Sequence, residues 1–587
     1  MEVLNSPLPR GTSHTMTSLP RRPWTLSAAL ALLILSTALL PFAVAPQATA
    51  QVTSQSGGAK FEWAVGGSIV QHPIPEANAE PWSIASDRQG NLWFVEQGTN
   101  QLGEYNPVSG NFTQFQIPTN NSTPDAVAVD SKGDVWFAEL TANRLGELAA
   151  GGSSIVEFEI PGIAVSLGST VQTVPCGPGA VLADPSGAVW VACLFSNQLD
   201  QFIPAQGAFN SFYLPVFQSA PAGMVLDGKG NLWFTAADAN MLGEAVVSQL
   251  RNGTSQGITE FAPLNQTYDY RLSHPTSFTG TTEVISSSLP SPSGIAIDQK
   301  GGLWMTEHVD SSFDSYNVAT KSLVKYWTTQ TFDANGYSVT FPNGIAIGSS
   351  GAVWIGEHYG NRVAEFLPSS GVMTEYPVPC CKSAIAGVYS VALAPDGRLW
   401  FVEIGGDAIG EMSPAQTSSS LSLTVPASSY SLGTAGRVTV PLTFSQEGGN
   451  STVLSLSMSG VTGTGSLQNM TAEFGGSTLA LQPGGQAETN MTLALDGLNP
   501  GIYYLTLGAT TQAGVIYSAI LKLTVTSGGS SQLWLLVPLA VVSAVVAGLG
   551  GLVLARRSHG ARRRTRPLRD PRRMNRTSTA TARPTAA

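Results

Sequence analysis

The sequence has little charge and few cysteines. Only 12% of its 587 residues are Asp, Glu, Lys or Arg, and none of its four cysteines stands in a C-x-x-C pair. The chain therefore lacks the cysteine spacing of a structural zinc site. It also lacks a phosphate-binding loop, an H-E-x-x-H motif and a strand-linked G-x-G-x-x-G. These absences exclude motif-based assignment to the common nucleotide-binding and zinc-protease classes.

Positive charge is scarce in the long central part of the chain. Residues 51–555 hold 15 of the 29 Lys and Arg but 37 of the 39 Asp and Glu. Nucleic-acid binding needs clustered Lys and Arg to contact phosphates, so no nucleic-acid partner is expected for this part. The other basic residues lie at the two ends, with 11 Arg in residues 556–587 and three in residues 1–50.

Two apolar runs explain the basic ends. Residues 533–555 are 23 positions without a charge, followed at once by Arg556 and Arg557. A run of this length crosses a hydrocarbon core of about 30 Å as a helix, and the Arg-rich tail at 556–587 is expected to remain in the cytoplasm. Binding of nucleic acid or anionic lipid by the tail is compatible with this topology.

The N-terminal run has the features of an export signal. Two arginines precede an apolar run at 26–44, and an A-x-A site at 48–50 predicts cleavage of residues 1–50. An uncleaved membrane anchor is the alternative. Both predict a single-pass protein of the cell membrane with residues 51–532 outside the cell. Eight N-x-S/T sequons agree with a glycoprotein, namely Asn111, Asn120, Asn121, Asn252, Asn265, Asn450, Asn469 and Asn490.

The outer part is dominated by a repeat built around tryptophan. Segments such as DRQGNLWF at 87–94 and DGKGNLWF at 227–234 recur at Trp93, Trp136, Trp190, Trp233, Trp304, Trp354 and Trp400. The spacings of 43 to 71 residues, with short strands and Gly turns, predict the blades of a seven-bladed β-propeller. The last unit lacks a fourth strand, so SIVQHPIP at 68–75 is expected to complete it and close the ring.

The repeat also resembles a known family. Units of the form P-x-G-I-x-x-D-x-x-G-x-[LV]-W-F-x-E-x-x-x-N-x-[IL]-G, over residues 62–413, resemble the streptogramin lyases (virginiamycin B lyases), which are related to NHL-repeat propellers. The resemblance implies a seven-bladed propeller. In that family the lyase linearises a cyclic depsipeptide by elimination at its ester bond, using Mg²⁺ held by glutamates and a histidine that moves the proton.

The family's histidines follow the proline of the inner strand, and this chain has none at those positions. The equivalent residues are Trp82, Asp125, Gly179, Ala222, Ser293, Asn343 and Tyr389. Five of them are expected to face a ligand in the central channel: Trp82, Asp125, Ser293, Asn343 and Tyr389. A general base needs a pKa near the working pH, which Ser and Asn do not supply.

Other residues are candidates for the missing chemistry. Glutamate stands three positions after Trp in five units, at Glu96, Glu139, Glu307, Glu357 and Glu403, and His308 and His358 follow two of them. We predict Glu307, Glu357 and Glu403 as ligands of Mg²⁺ or Ca²⁺, with His308 and His358 as catalytic residues. The alternative is that the repeated glutamates bond backbone inside each blade. The repeated Asp87, Asp130, Asp184, Asp227 and Asp298 are predicted to form turns.

The cysteines and two longer loops complete the propeller predictions. A disulfide between Cys176 and Cys193 is predicted, with free thiols as the alternative, because a hairpin of that length can bring them together. The adjacent Cys380 and Cys381 form either a strained disulfide or two free thiols. Loops 264–290 and 329–341 lie on either side of the fifth unit, and they are where binding specificity is expected.

Residues 419–526 contain no tryptophan, and their alternating strands predict an immunoglobulin-like or fibronectin III-like sandwich that serves as a stalk. Two functions follow for the whole chain. The first is a surface-anchored module that binds a carbohydrate, a peptide or a partner protein. The second is a metal-dependent lyase or lactonase-like enzyme acting at the propeller channel.

Overall fold

The computed structural model describes nine parts of the chain. They are residues 59–167, 170–261, 291–308, 311–329, 340–379, 386–413, 419–427, 429–461 and 470–527. The predicted signal segment, apolar span, Arg-rich tail and Cys380–Cys381 pair lie outside these residues, as do residues 264–290 and most of 329–341. Within the described ranges, no helix has the length and apolar character needed to cross a membrane.

The described residues form an all-β structure in which seven four-stranded units make up most of the chain. The first four blades consist of β3 (Pro81–Ser86), β4 (Leu92–Glu96), β5 (Gln101–Asn106), β6 (Asn111–Gln116); β7 (Pro124–Val129), β8 (Val135–Glu139), β9 (Arg144–Leu148), β10 (Ile155–Glu159); β13 (Pro178–Ala183), β14 (Val189–Cys193), β15 (Gln198–Ile203), β16 (Ala208–Tyr213); and β17 (Pro221–Leu226), β18 (Leu232–Ala236), β19 (Met241–Ala245), β20 (Ile258–Phe261). A hairpin, β11 (Ile163–Leu167) and β12 (Thr170–Val174), separates the second blade from the third.

The last three blades follow the same plan. They consist of β21 (Pro292–Ile297), β22 (Leu303–Glu307), β23 (Ser312–Asn317), β24 (Ser322–Trp327); β25 (Pro342–Ile347), β26 (Val353–Glu357), β27 (Arg362–Leu367), β28 (Val372–Pro377); and β29 (Val388–Leu393), β30 (Leu399–Glu403), β31 (Ala408–Ser413) with β2 (Ser68–Pro73). Two short 3-10 turns, Val247–Gln249 and Ile404–Gly406, lie between strands.

The ring closes as the sequence predicts. Strand β2, which precedes the first blade, pairs antiparallel with β31 and supplies the fourth strand of the last blade. Each inner strand also contacts the inner strands of both neighbouring blades, and β29 contacts β3. These contacts join the seven described blades into one propeller, so the two ends of the ring hold each other and leave no free inner edge.

The repeated Asp and Trp explain why each blade folds. In the first blade, Oδ1 of Asp87 accepts hydrogen bonds from the backbone N–H groups of Gln89 and Asn91, and Oδ2 accepts one from the Trp93 indole at 3.2 Å. The same carboxylate–indole bond recurs in the third, fourth and fifth blades. The predicted turn role of these aspartates is therefore confirmed. The repeated Asn residues, including Asn100 and Asn143, adopt positive φ at a turn, as expected.

A second body of two facing sheets follows the propeller. One sheet has the order β1 (Ala59–Ala64), β32 (Ser420–Val425), β34 (Ala435–Glu447), β38 (Gln486–Asp496) and β36 (Met470–Phe474). The other contains β40 (Ile516–Thr526), β39 (Gly501–Thr511), β35 (Thr452–Val461) and β37 (Thr478–Leu481), with β33 (Ser429–Gly433) parallel to β40. Leu and Val side chains of both sheets share one buried core, so this body is a β-sandwich.

The N-terminal strand belongs to this sandwich. Strand β1 pairs with β32, and its Phe61 and Trp63 side chains lie in the sandwich core. Residues 62–64, which the repeat placed at the start of the propeller, therefore lie in the sandwich. The physical reason is the apolar alternation of β1, which buries Phe61 and Trp63 while its neighbouring residues remain more exposed.

The sandwich is joined directly to the sixth blade. Strand β40 pairs antiparallel with β28, from Val372 opposite Ala519 to Glu375 opposite Ile516, which makes one nine-stranded sheet from two domains. The Trp63 indole adds a hydrogen bond to the carbonyl of Ser518 at 3.2 Å. The two bodies therefore share backbone hydrogen bonds rather than side-chain contacts alone.

Candidate ligand site at the channel mouth

One end of the ring gathers the start of every inner strand and the end of every second strand. The registers show this directly, since Pro124 pairs with Glu139 and Pro342 with Glu357. We call this end the channel mouth. Its first set of residues follows the inner-strand start: Trp82, Asp125, Gly179, Ala222, Ser293, Asn343 and Tyr389. Its second set follows the end of the second strand: Gln97, Leu140, Leu194, Ala237, His308, His358 and Ile404.

Four of the predicted site residues form an aromatic cluster at the mouth. The Trp82 and Tyr389 rings are 4.2 Å apart between centroids. The His358 ring lies 5.2 Å from Tyr389 in an edge-on arrangement and 5.9 Å from the His308 ring. Because the four residues come from the first, seventh, sixth and fifth blades, only the closed ring brings them together.

The two histidines are neutral groups near pH 7. Burial lowers the pKa of His308, and burial together with the neighbouring His308 ring lowers the pKa of His358 to about 4. In both rings Nδ1 is buried and has no hydrogen-bond partner among the described residues. A histidine with a pKa near 4 is a poor general base at neutral pH.

Asp125 is the acidic member of the mouth. Its Oδ1 accepts a hydrogen bond from the Gln97 amide at 3.1 Å. Burial raises the pKa of the nearby Tyr389 phenol, and the charge of Asp125 raises it further. Burial raises the pKa of Asp125 to about 7. Sequence reasoning missed Gln97. Gln97 could have been identified from its position directly after the repeated Glu, because the residue at that position varies from blade to blade while its neighbours repeat.

Ser293 and Asn343 bond mainly to neighbouring strands. The Asn343 amide donates to the Tyr389 carbonyl at 3.2 Å, and the Ser293 hydroxyl lies 3.3 Å from the Thr306 hydroxyl. Thr306 in turn donates to the Asn343 carbonyl at 2.7 Å. These bonds connect the inner strands of the last three blades and thereby fix the aromatic cluster.

The predicted metal ligands lie inside their own blades. Oε2 of Glu357 is 3.7 Å from the Arg362 guanidinium, which is also 3.8 Å from Glu375. Glu403 accepts a hydrogen bond from the Gln71 amide at 2.6 Å, and burial raises its pKa to about 7. Glu307 is likewise fully buried at the end of its strand. Their neighbours His308 and His358 contribute instead to the mouth, as expected for adjacent strand residues.

These carboxylates do not suit one shared cation. Among the described residues, the one group of three or more potential ligand atoms within 4.8 Å is Cys176, Cys193 and Asp200. The set Glu307, Glu357 and Glu403 therefore does not fit a single Mg²⁺ or Ca²⁺ ion, whose oxygen ligands must converge. We derive no chemical step through such an ion.

The cysteines of that group form a disulfide. Cys176 and Cys193 are bonded, with 1.99 Å between the sulfurs, as the hairpin length predicts. The Asp200 carboxylate lies 3.6 Å from the Cys193 sulfur and is buried, and burial raises its pKa to about 7. Since both thiols are consumed by the disulfide, this group offers no thiolate to a metal.

The mouth is polar on one side and apolar on the other. In the third and fourth blades the equivalent positions hold only Gly179, Leu194, Ala222 and Ala237. Two phenylalanines nearby in the chain are exposed, Phe195 by 57% and Phe217 by 84%. The arrangement suits a ligand that has both a polar and an apolar part.

A family model agrees with the propeller over part of the chain. The family model of the virginiamycin B lyase family matches residues 43–166. No curated protein matches the chain. Among solved structures, a streptogramin B lyase is 20% identical with a TM-score of 0.47, covering 59% of this chain and 98% of its own. Selenomethionine-substituted virginiamycin B lyase from Staphylococcus aureus is 19% identical with a TM-score of 0.47, covering 59% of this chain and 99% of its own.

A hydrazine synthase from Kuenenia stuttgartiensis is 13% identical with a TM-score of 0.43, covering 58% of this chain and 97% of its own. The matched residues 43–166 include the first two blades. The chain thus carries a β-propeller similar to that of the virginiamycin B lyase family.

Proposed function

We propose that the chain is a membrane-anchored, extracellular propeller that binds a ligand at the channel mouth. The observation that carries this proposal is the cluster of Trp82, Tyr389, His308 and His358 beside the Asp125 carboxylate. Aromatic faces with a few placed polar groups are the usual chemistry of a ligand site. A carbohydrate, a peptide or a segment of a partner protein has suitable groups.

Three features favour binding over catalysis. The inner-strand positions hold no histidine, the two histidines present have lowered pKa values, and the three predicted metal ligands do not converge. A base of moderate strength and a Lewis acid are what an elimination at an ester would require. Binding needs neither.

A metal-dependent lyase or lactonase-like activity is the second candidate. It is favoured by Asp125, whose pKa of about 7 is suitable for moving a proton near neutral pH. Mg²⁺ or Ca²⁺ in such an enzyme would need ligands other than the three blade glutamates. The virginiamycin B lyase family name suggests a cyclic depsipeptide as the first substrate to try.

The remaining chain supports a surface location. Residues 533–555 supply the anchor of this proposal, and the sandwich immediately before them supplies an immunoglobulin-like stalk. The acidic body, the N-x-S/T sequons and the disulfide agree with an extracellular glycoprotein. The arginine tail then lies on the cytoplasmic side.

The test is binding of the full-length chain to glycan and peptide arrays, followed by titration of each hit. Replacing Trp82 and Tyr389 by Ala should remove binding, because both rings of the mouth are lost. Val108→Ala is the matched control, since Val108 is 94% exposed on a hairpin at the other end of a blade and should leave binding unchanged.

Hits that bind the double variant as tightly as the parent chain, or arrays without any hit, would contradict the proposal. In a parallel assay, the chain is incubated with a streptogramin B antibiotic and Mg²⁺. Linear product that disappears in Asp125→Asn would establish the enzyme instead.

A further inference from the structure

We propose that Asp125, Trp82 and Tyr389 form a recognition site for a protonated amine of the ligand. This inference rests on the proposed ligand site at the channel mouth and specifies the chemistry of one part of its ligand.

The carboxylate has room for a further donor. Gln97 donates to Oδ1 of Asp125, whereas Oδ2 receives no hydrogen bond from the described residues. Asp125 is partly buried, so bulk water hydrates its Oδ2 less completely than it hydrates an exposed carboxylate. An ammonium N–H is the strongest donor for such an oxygen, because a charge-assisted hydrogen bond exceeds a neutral one.

Two aromatic rings provide the other wall. Trp82 and Tyr389 pack 4.2 Å apart at the mouth. Burial raises the pKa of the Tyr389 phenol, and the nearby Asp125 carboxylate raises it further. Electron-rich ring faces attract cations, with Trp the most favourable of the side chains. Carboxylate and rings therefore select for the same ligand charge.

No described cation of the protein occupies this place. The groups that face Asp125 are the Gln97 amide and the Tyr389 phenol, and the histidines next to Tyr389 are neutral at pH 7. By contrast, the buried Glu357 has Arg362 beside it. A buried carboxylate without a cation reduces folding stability, and a cationic ligand bound at the mouth would offset that cost.

The site should depend on pH in a definite direction. Burial raises the pKa of Asp125 to about 7, so the carboxyl is neutral below this pH and cannot attract the amine. For a pKa of 7, apparent affinity is expected to fall about tenfold from pH 8 to pH 6. Glu139 also titrates nearby, with its pKa raised by burial to about 8, but its carboxylate lies beside Glu157 and Arg144.

The experiment compares benzylamine with benzyl alcohol, two probes of similar shape that differ in charge. Ligand-observed NMR titration of the full-length chain gives the Kd of each at pH 8 and pH 6. Benzylamine should bind at least tenfold more tightly than benzyl alcohol at pH 8 and lose that advantage at pH 6. Asp125→Asn should remove both the advantage and the pH dependence, whereas Glu139→Gln should retain them.

Trp82→Ala reports whether the probes bind at the mouth at all, and circular dichroism confirms that each variant is folded. Equal Trp82-dependent binding of both probes would overturn the amine site while leaving the proposed function intact. Absence of Trp82-dependent binding by benzylamine would also overturn the amine site. The proposed function itself fails by a different result, the array without a mouth-dependent hit.

Discussion

The channel mouth and the blade interiors both contain buried carboxylates, but the neighbours of these carboxylates differ. Inside the sixth blade, Glu357 and Glu375 lie 3.7 and 3.8 Å from the Arg362 guanidinium, and inside the last blade Glu403 accepts a bond from Gln71. At the mouth, Asp125 has one amide donor and aromatic neighbours. The repeated acids therefore serve their own blades, whereas Asp125, which no other blade repeats at its position, lies among the aromatic rings of the mouth.

Breaking an interior network should have the largest effect. Arg362→Met leaves two glutamates buried without their cation, and it also removes the guanidinium bond to the Thr329 carbonyl. We expect a loss of about 3–5 kcal/mol in the free energy of unfolding, measured by chemical denaturation. Arg398→Met is the control, because its more exposed pairs with Asp396 and Glu411 should be worth about 1 kcal/mol or less. Equal losses in both variants would contradict the distinction.

The third blade sharpens the comparison, because Cys193 stands where five other blades have glutamate. The Cys176–Cys193 bond closes a loop with a sequence separation of 17 residues. Replacing both by Ser should lower the free energy of unfolding by about 2–3 kcal/mol through a less constrained unfolded chain. A reducing agent should lower the melting temperature of the parent chain to that of the double variant and leave the variant unchanged. A parent chain insensitive to reduction would show that the bond contributes nothing.

The smallest effect is expected for a substitution at the mouth, which should raise the free energy of unfolding instead of lowering it. Because the folded state raises the pKa of Asp125, the protein is destabilised as pH rises from about 4 to about 7. Asp125→Asn should therefore stabilise the chain by about 1–3 kcal/mol at pH 8, with little gain at pH 4. Thermal unfolding at the two pH values measures this difference.

The matched control is Asp227→Asn in a turn. Hydrogen bonds from backbone N–H groups outweigh burial and lower the pKa of Asp227, so this carboxylate contributes stability above pH 4 that disappears at lower pH. The substitution should destabilise the chain at pH 8. If both variants shifted stability in the same direction, the contrast between a functional acid and a structural acid would be wrong.

Local signals explain what could be predicted from the sequence. Each Asp turn is specified within six residues of its Trp, and the strand at 68–75 could be identified because it repeats the form of the other outer strands. The disulfide also forms within one blade, between a residue just before β13 and the last residue of β14. These predictions needed only the repeat and its register.

The site and the domain junction could not be obtained in this way. The contact of Trp82 with Tyr389 joins residues more than 300 positions apart, and it exists only because the ring closes. The pairing of β28 with β40 depends on the edges of two domains, about which a local pattern carries no information. The contacts of the blade glutamates could not be predicted either, since Arg362 and Gln71 lie outside the repeated motif.

The shared nine-stranded sheet has a mechanical consequence. Strand β40 is the last described strand, and it runs antiparallel to β28 of the sixth blade. A pull on the C-terminal end of β40 acts along the strand, so it loads the hydrogen bonds to β39, β33 and β28 in shear instead of opening them one by one. Because β33 and β39 pair with the C-terminal part of β40 and β28 pairs only with residues 516–519, the sandwich should bear tension first and the sixth blade after it.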